Sequence, residues 1–314
     1  MEKQELLFQI FPRYIREVLK TLWLEPEGLE EIRLRAGAPL FYFYKNREYA
    51  ADGIRISRGD VEETLQCAVR YSLYAYEEEL RQGFLTVQGG HRIGVAGRVV
   101  AENGRVRTIT PVSSLNVRFS HEIAGCADGV LDLVAGGAEE IKNTLIISPP
   151  RCGKTTLLRD LVRQLSNGSR TRRGRRVGLV DERSEIAACF QGVPQNDVGI
   201  RTDVLDACPK AEGLMMLIRS MAPEIVAADE IGSARDLEAL RFAMHCGCCI
   251  LATVHGESLE DVRKKPVLSA MLRGAMFERC LVLGRDRGPG TLLGVFDGKG
   301  ERIDLREKGE RLCG

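Results

Sequence analysis

Residues 148–156 read SPPRCGKTT, and Gly153, Lys154, Thr155 and Thr156 at its end are the types that hold a polyphosphate. In a phosphate-binding loop, backbone N–H groups converge on the phosphates at a helix N-terminus, a lysine ammonium bridges the β- and γ-phosphates, and a hydroxyl holds Mg²⁺. Lys154 and Thr155 fit those two roles, and Gly153 lets the backbone approach closely. The usual G-x-x-x-x-G-K-[ST] pattern fails at one position, where Ser148 stands for the first glycine. Pro149 and Pro150 bring no N–H. They lie upstream of the amides that would face the β-phosphate, which begin near Cys152 after Arg151, so the loop can still work.

Acids complete the chemistry. The apolar run EIVAAD delivers Asp229 and then Glu230, the first suited to hold Mg²⁺ and the second to polarise an attacking water. RVGLVD ends in Asp181, followed by Glu182, Arg183 and Glu185, and CCILATV is followed at once by His255. A histidine there can sense the γ-phosphate or be structural, and both readings stand. The expected ligands are ATP and Mg²⁺.

These residues need elements to hold them. From Asn143 onward the chain alternates strand and helix: NTLIIS, KTTLLRDLVRQL, RVGLVD, AEGLMMLIRSM, EIVAAD, ARDLEALRFAMH, CCILATV and SLEDVRKK. Near-continuous apolar strands between amphipathic helices predict an α/β domain with a mostly parallel sheet, the P-loop NTPase (RecA-like) arrangement, over 143–314. Ligands bind such sheets at the strands' C-terminal ends, where the acids and His255 fall. Residues 1–122 read as a smaller α+β domain. They offer an N-terminal helix from Leu6 and Leu7 to Leu22 with Pro12 as a break or first-turn residue, strands EEIRLR and PLFYFYKN, and a helix with Ser57 as a candidate cap over SRGDVEETLQCAVRYSL. HRIGVAGRVV and RVRTI follow as a hairpin turned at Asn103-Gly104, with SLNVRFS as a further strand. Residues 123–142, with several glycines and the short helix ADGVLDLVA, read as a connector.

Composition sets the class. The 314 residues are 44% hydrophobic and 28% charged with net charge +1, a globular composition that does not favour polyanions as a whole. No run approaches the roughly 20 apolar residues a membrane span needs, and no signal-peptide core forms, so a cytoplasmic location is expected. Of ten cysteines only Cys246 and Cys249 have C-x-x-C spacing, and no second pair completes a zinc site; reduced, buried or incidental thiols are expected. The loop SNGSRTRRGRRVG carries Arg170, Arg172, Arg173, Arg175 and Arg176, either simply solvated or facing an anionic membrane, acidic partner or nucleic acid.

PEIVAADEIG, DLEAL and GCCILATVHG resemble the second half of the type II/type IV secretion ATPases, whose Walker A loop, acidic box, Walker B strand and histidine box follow in this order. SPPRCGKTTLLRD, VGLVDERSEIA and ATVHGESLEDV, with GLEEIRLRAGAPL and GGHRIGVAGRVV, are closer still to the stage III sporulation AA family, ATPases associated with the mother cell to forespore channel of endospore formers. The resemblance implies a homo-oligomeric ring, expected to be a hexamer, with ATP between the two domains and at a subunit boundary. It implies a place on the mother-cell side of a membrane, reached through membrane-embedded channel or secretion subunits, with peripheral membrane contact open. It puts Lys154 and Thr155 on Walker A, Glu182 or Glu185 on the acidic box, Glu230 on Walker B and His255 on the histidine box. Arg92, Arg98 and Arg118 become candidates to face the phosphates. Ser148 for glycine and the presence of Asp229 depart from the secretion ATPases, leaving open which carboxylate activates water. A nucleic-acid-associated ATPase is the rival reading, disfavoured because no R-x-x-x-H module ends the chain. A nucleotide-binding scaffold without turnover is a third.

Overall fold

The computed structural model of the chain describes residues 8–25, 28–69, 76–136 and 140–303. It divides into two compact units, Met1–His121 and Glu122–Gly314.

The first unit is built on a six-stranded antiparallel sheet in the order β3-β2-β1-β6-β5-β4. Its strands are β1 (Leu29–Arg35), β2 (Pro39–Tyr44), β3 (Arg47–Arg55), β4 (Phe84–Val87), β5 (His91–Glu102) and β6 (Arg105–Arg118). Pro12 stands at the N-cap of α1 (Arg13–Thr21), which buries Ile15 and Leu19; Leu6 and Leu7, expected in that helix, lie outside the described residues. Ser57 caps α2 (Arg58–Ala68) through a reciprocal box with Asp60, as its sequence predicts; the expected continuation through residues 70–73 lies outside the described residues. A short α3 (Glu77–Gln82) follows. Asn103 and Gly104 turn the β5–β6 hairpin with φ of 52° and 74°, the conformation a type I′ turn requires. RVRTI and SLNVRFS, expected as separate strands, are one 14-residue strand. Pro111 is tolerated within it because it lies beyond the pairing with β1, at a register shift against β5.

The second unit holds a seven-stranded sheet in the order β13-β12-β7-β11-β10-β8-β9. The strands are β7 (Thr144–Ser148), β8 (Val177–Asp181), β9 (Thr202–Asp206), β10 (Ile225–Ala228), β11 (Cys249–His255), β12 (Arg279–Gly284) and β13 (Thr291–Asp297). All neighbours run parallel except the β12–β13 pair. Alternate residues of the central strands feed two cores. Ile146, Leu179, Ala227 and Leu251 face α5 (Lys154–Asn167), while Ile147, Val180, Ala228 and Ala252 face α6 (Lys210–Met221) and α7 (Ala234–His245). A four-residue α4 (Leu131–Val134), α8 (Leu259–Lys264) and α9 (Pro266–Arg273) are the other helices among the described residues of this unit. Of the segment read as a connector, Cys126, Ala127, Val130, Val134 and Ile141 are buried in the α5 core. β7, β8, β10 and β11 all end at one edge, which gathers the loop after Ser148, Asp181, Asp229-Glu230 and His255.

Candidate nucleotide site

Strand β7 is buried throughout and aims the chain into the loop that opens α5. Ser148, where a glycine is usual, is fully buried, and its hydroxyl donates back to the Pro149 carbonyl at 2.9 Å. The thiol of buried Cys152 lies 3.6 Å from the Pro150 carbonyl, and the Cys152 carbonyl accepts the Gly290 N–H at 3.1 Å. Left-handed conformations at Arg151 (φ 59°) and Gly153 (φ 80°) turn the backbone into the helix. No side chain caps that N-terminus, so its first-turn amides at Lys154, Thr155 and Thr156 lack intrahelical acceptors and are disposed toward an anion.

Across from the loop sit the acids that follow β10. Lys154 Nζ, with a side chain only 8% exposed, donates to Glu230 Oε1 at 2.8 Å and lies 3.8 Å from Asp229 Oδ1. The Thr155 hydroxyl donates to Asp229 Oδ2 at 2.7 Å. Thr253 on β11 ties both acids: its hydroxyl donates to Asp229 Oδ1 and accepts the Glu230 N–H at 2.9 Å. His255 Nε2 is 2.8 Å from Glu230 Oε1, and Arg183 Nη1 is 2.7 Å from Oε2. Burial raises the Glu230 carboxyl, but the Lys154 hydrogen bond and the charges of Lys154, His255 and Arg183 outweigh it and hold the group below its ordinary range. Glu230 itself takes φ of 55°, a strained value for a non-glycine residue. Glu230, His255, Lys265 and Leu268 line a cavity of about 290 Å³, and Lys265 Nζ donates to the His255 carbonyl at 2.6 Å.

The donors present fit a hard cation: the Thr155 hydroxyl and the Asp229 carboxylate already touch, beside a lysine able to meet phosphate charge. Among the described residues no group of three or more His, Cys, Asp or Glu gathers to cage a metal. A cation here would take its remaining oxygens from water and phosphate, as Mg²⁺ characteristically does.

The acidic box is arranged differently from expectation. Asp181 is buried and turns into its own loop, accepting the N–H groups of Glu185, Ile186 and Ala187 at 2.9, 2.9 and 2.8 Å. Burial pushes its carboxyl up, and those amides act against that rise. Glu182 pairs with Lys210, and the exposed Glu185 gives its carbonyl to Arg159. It is Arg183 between them that the structure brings to Glu230. Buried Arg159, on α5, donates to the carbonyls of Ile186 at 2.7 Å and Glu185 at 2.9 Å, fixing the acidic loop to the phosphate-loop helix. Thr253, Arg159 and the Arg183–Glu230 contact escaped the sequence reading. For Thr253 the available signal was a hydroxyl inside an otherwise apolar strand.

Arg92, Arg98 and Arg118 belong to the first unit. Arg92 and Arg118 are register partners on β5 and β6, Arg92 stacking 3.5 Å over the Phe84 ring and Arg118 lying 3.6 Å from Glu31; Arg98 is exposed. The basic loop is not simply solvated. Arg173 and Arg175 reach Glu224 at 2.6 and 3.0 Å, the Arg176 N–H joins them at 3.2 Å, and Arg172 reaches Asp132 at 3.1 Å. The Cys248 and Cys249 thiols lie 3.2 and 3.3 Å from the carbonyls of Pro223 and Ile141, while Cys246 is exposed. No helix among the described residues is long and apolar enough to cross a membrane.

Comparison with known proteins places this geometry. The chain is similar to the Legionella pneumophila ATPase DotB, with a TM-score of 0.58 and 16% identity over 87% of this chain and 76% of that one. It is also similar to the pilus retraction motor PilT with bound ADP, with a TM-score of 0.57 and 15% identity over 86% and 76%. Identities this low speak for the shared P-loop α/β fold alone. Stage III sporulation protein AA of Bacillus subtilis is 41% identical over 316 residues, 99% of each chain. The family model described as sporulation stage III, protein AA matches residues 1–303. On these grounds the chain belongs to the sporulation stage III protein AA family.

Proposed function

We propose that the chain is an Mg²⁺-dependent ATP hydrolase that works as a ring, expected to be a hexamer, and energises a membrane-embedded channel or secretion complex during endospore formation. It would act on the mother-cell side, held at the membrane through its partners. The observation that carries the reading is the meeting of Lys154 and Thr155 with Glu230 and Asp229 at the C-terminal edge of a parallel sheet. In this reading the amides from Cys152 to Thr155 and the Lys154 ammonium grip the phosphates. Thr155 and Asp229 hold Mg²⁺, which when bound supplies charge neutralisation at the phosphates. Glu230 is the general base for the attacking water, and Thr253 holds it by its backbone N–H. His255 orients that carboxylate from Oε1. Commitment of the basic loop to Glu224 and Asp132 leaves it less charge to offer a nucleic acid.

Phosphate release and nucleotide binding by the purified chain test this directly. Lys154→Ala should lose both. Glu230→Gln should retain ATP binding while turnover falls about 100-fold or more, the scale of a lost general base. Wild-type turnover persisting in either variant would remove the assignment of hydrolysis to this site, and a wild-type chain that releases no phosphate would remove the hydrolase reading.

A further inference from the structure

Glu230 is engaged on both oxygens: Lys154 and His255 on Oε1, Arg183 on Oε2. Three donors occupy three of the roughly four lone-pair sites of a carboxylate, and cations paired with it lower its basicity, so it becomes a better base for water when some of these partners leave. The P-loop role of Lys154 accounts for one departure. Arg183 accounts for another, and the way it is mounted shows how.

The loop just after it is fixed. Asp181 accepts the Glu185 and Ile186 amides, Asn196 Nδ2 donates to the Ile186 carbonyl at 2.8 Å, and Arg159 anchors the same turn to the helix that begins at Lys154. The Arg183 side chain is not, being 63% exposed at the end of a flexible stem. Arg183 and Lys154 thus share a single carboxylate, from opposite oxygens, with their attachment points held in register by α5. A terminal phosphate carries more charge than a carboxylate and offers three oxygens to the planar guanidinium fork, so it outcompetes Glu230 for this arginine.

We propose that Arg183 senses the terminal phosphate of the nucleotide, pairing with Glu230 when that phosphate is missing and transferring to it when it is present. The transfer frees Glu230 Oε2 only once a triphosphate is in place, coupling substrate recognition to release of the base. The inference rests on the ATP reading of the site and adds to it a basis for distinguishing triphosphate from diphosphate.

The test titrates ADP and an imido-bridged, non-hydrolysable ATP analogue, each with Mg²⁺, into the full chain and into Arg183→Ala and Arg183→Lys. Arg183→Ala should weaken analogue binding on the order of 10- to 100-fold, the worth of a charge-assisted hydrogen bond, and leave ADP binding within about 2-fold. Arg183→Lys should recover part of the loss, since a point charge replaces the fork. Glu230→Gln should tighten the analogue relative to ADP in wild type and fail to do so in the Arg183→Ala background. Equal effects of Arg183→Ala on both nucleotides, or no effect on either, overturn the proposal while the ATP reading survives. A wild-type chain that binds neither nucleotide overturns both.

Discussion

At the residue scale, one hydroxyl organises the two acids that follow β10. Thr253 gives its proton to Asp229 and its lone pair to the Glu230 N–H, so one side chain sets the carboxylate proposed to hold Mg²⁺ and the strained backbone of the proposed base together. Thr253→Val keeps the β-branched shape but leaves that amide without its acceptor, at a cost of about 1–3 kcal/mol if it stays dry. We expect the variant to bind ADP as wild type does and to lose turnover by about 10-fold or more, since the base is no longer held in line. Unchanged turnover in a steady-state assay would show that Glu230 holds its φ of 55° without help. Lys154, Thr155, Asp229 and Glu230 were legible in the sequence because motif spacing announces them. Thr253 was not, because a hydroxyl in an apolar strand belongs to no motif, and Arg183 was not assigned to Glu230 because that contact joins two loops distant in the chain.

At the element scale, the basic loop after α5 is a clamp on β10. Glu224, just before that strand, collects Arg173, Arg175 and the Arg176 N–H. Burial raises its carboxyl, but these donors outweigh the penalty and hold it below the ordinary glutamate range. A carboxyl depressed in the folded state stabilises above its unfolded value and loses that contribution as pH falls through the folded one. Glu224→Gln should therefore cost about 1–2 kcal/mol in urea unfolding at pH 7, the discounted worth of partly exposed charge-assisted bonds. The gap to wild type should close as the pH drops below about 4, the region where glutamate ordinarily titrates. A gap that persists in acid would mean that the loop holds by shape and not by charge. The same strand explains how far elements could be read in advance. β7, β8 and β10 are buried along their whole length, so their apolar runs stood out. β9 is half-buried at every residue and its TDVLD mixes acids with aliphatics at a sheet edge, so it carried no such signal. Within 123–142 the short helix was legible from ADGVLDLVA, but the full burial of Val130 and Val134 under α5 was not, because the glycines around it masked the packing.

At the scale of the whole molecule, the proposed nucleotide chemistry falls in one of the two units. Each unit has its own sheet, and the residues proposed to grip phosphate, hold metal and activate water all lie in Glu122–Gly314. The first unit offers a different feature. Arg92 and Arg118 stand directly opposite on β5 and β6, a like-charge register pair that costs stability unless something offsets it. The Phe84 face and Glu31 offset it in part. Among the described residues, then, nucleotide grip should be separable from the contribution of this arginine pair to turnover. A fragment spanning 122–314 should bind Mg-ADP within about 3-fold of the full chain, because every residue proposed to contact the nucleotide lies within that span. In the full chain, Arg92→Ala and Arg118→Ala should spare ADP affinity and lower turnover, with specific activity rising with protein concentration as the proposed ring assembles. Calorimetry on the fragment beside turnover measured across a dilution series separates the cases. A folded fragment that has lost ADP would move part of the phosphate grip into the first unit, and turnover indifferent to dilution and to both arginines would leave the second unit acting alone.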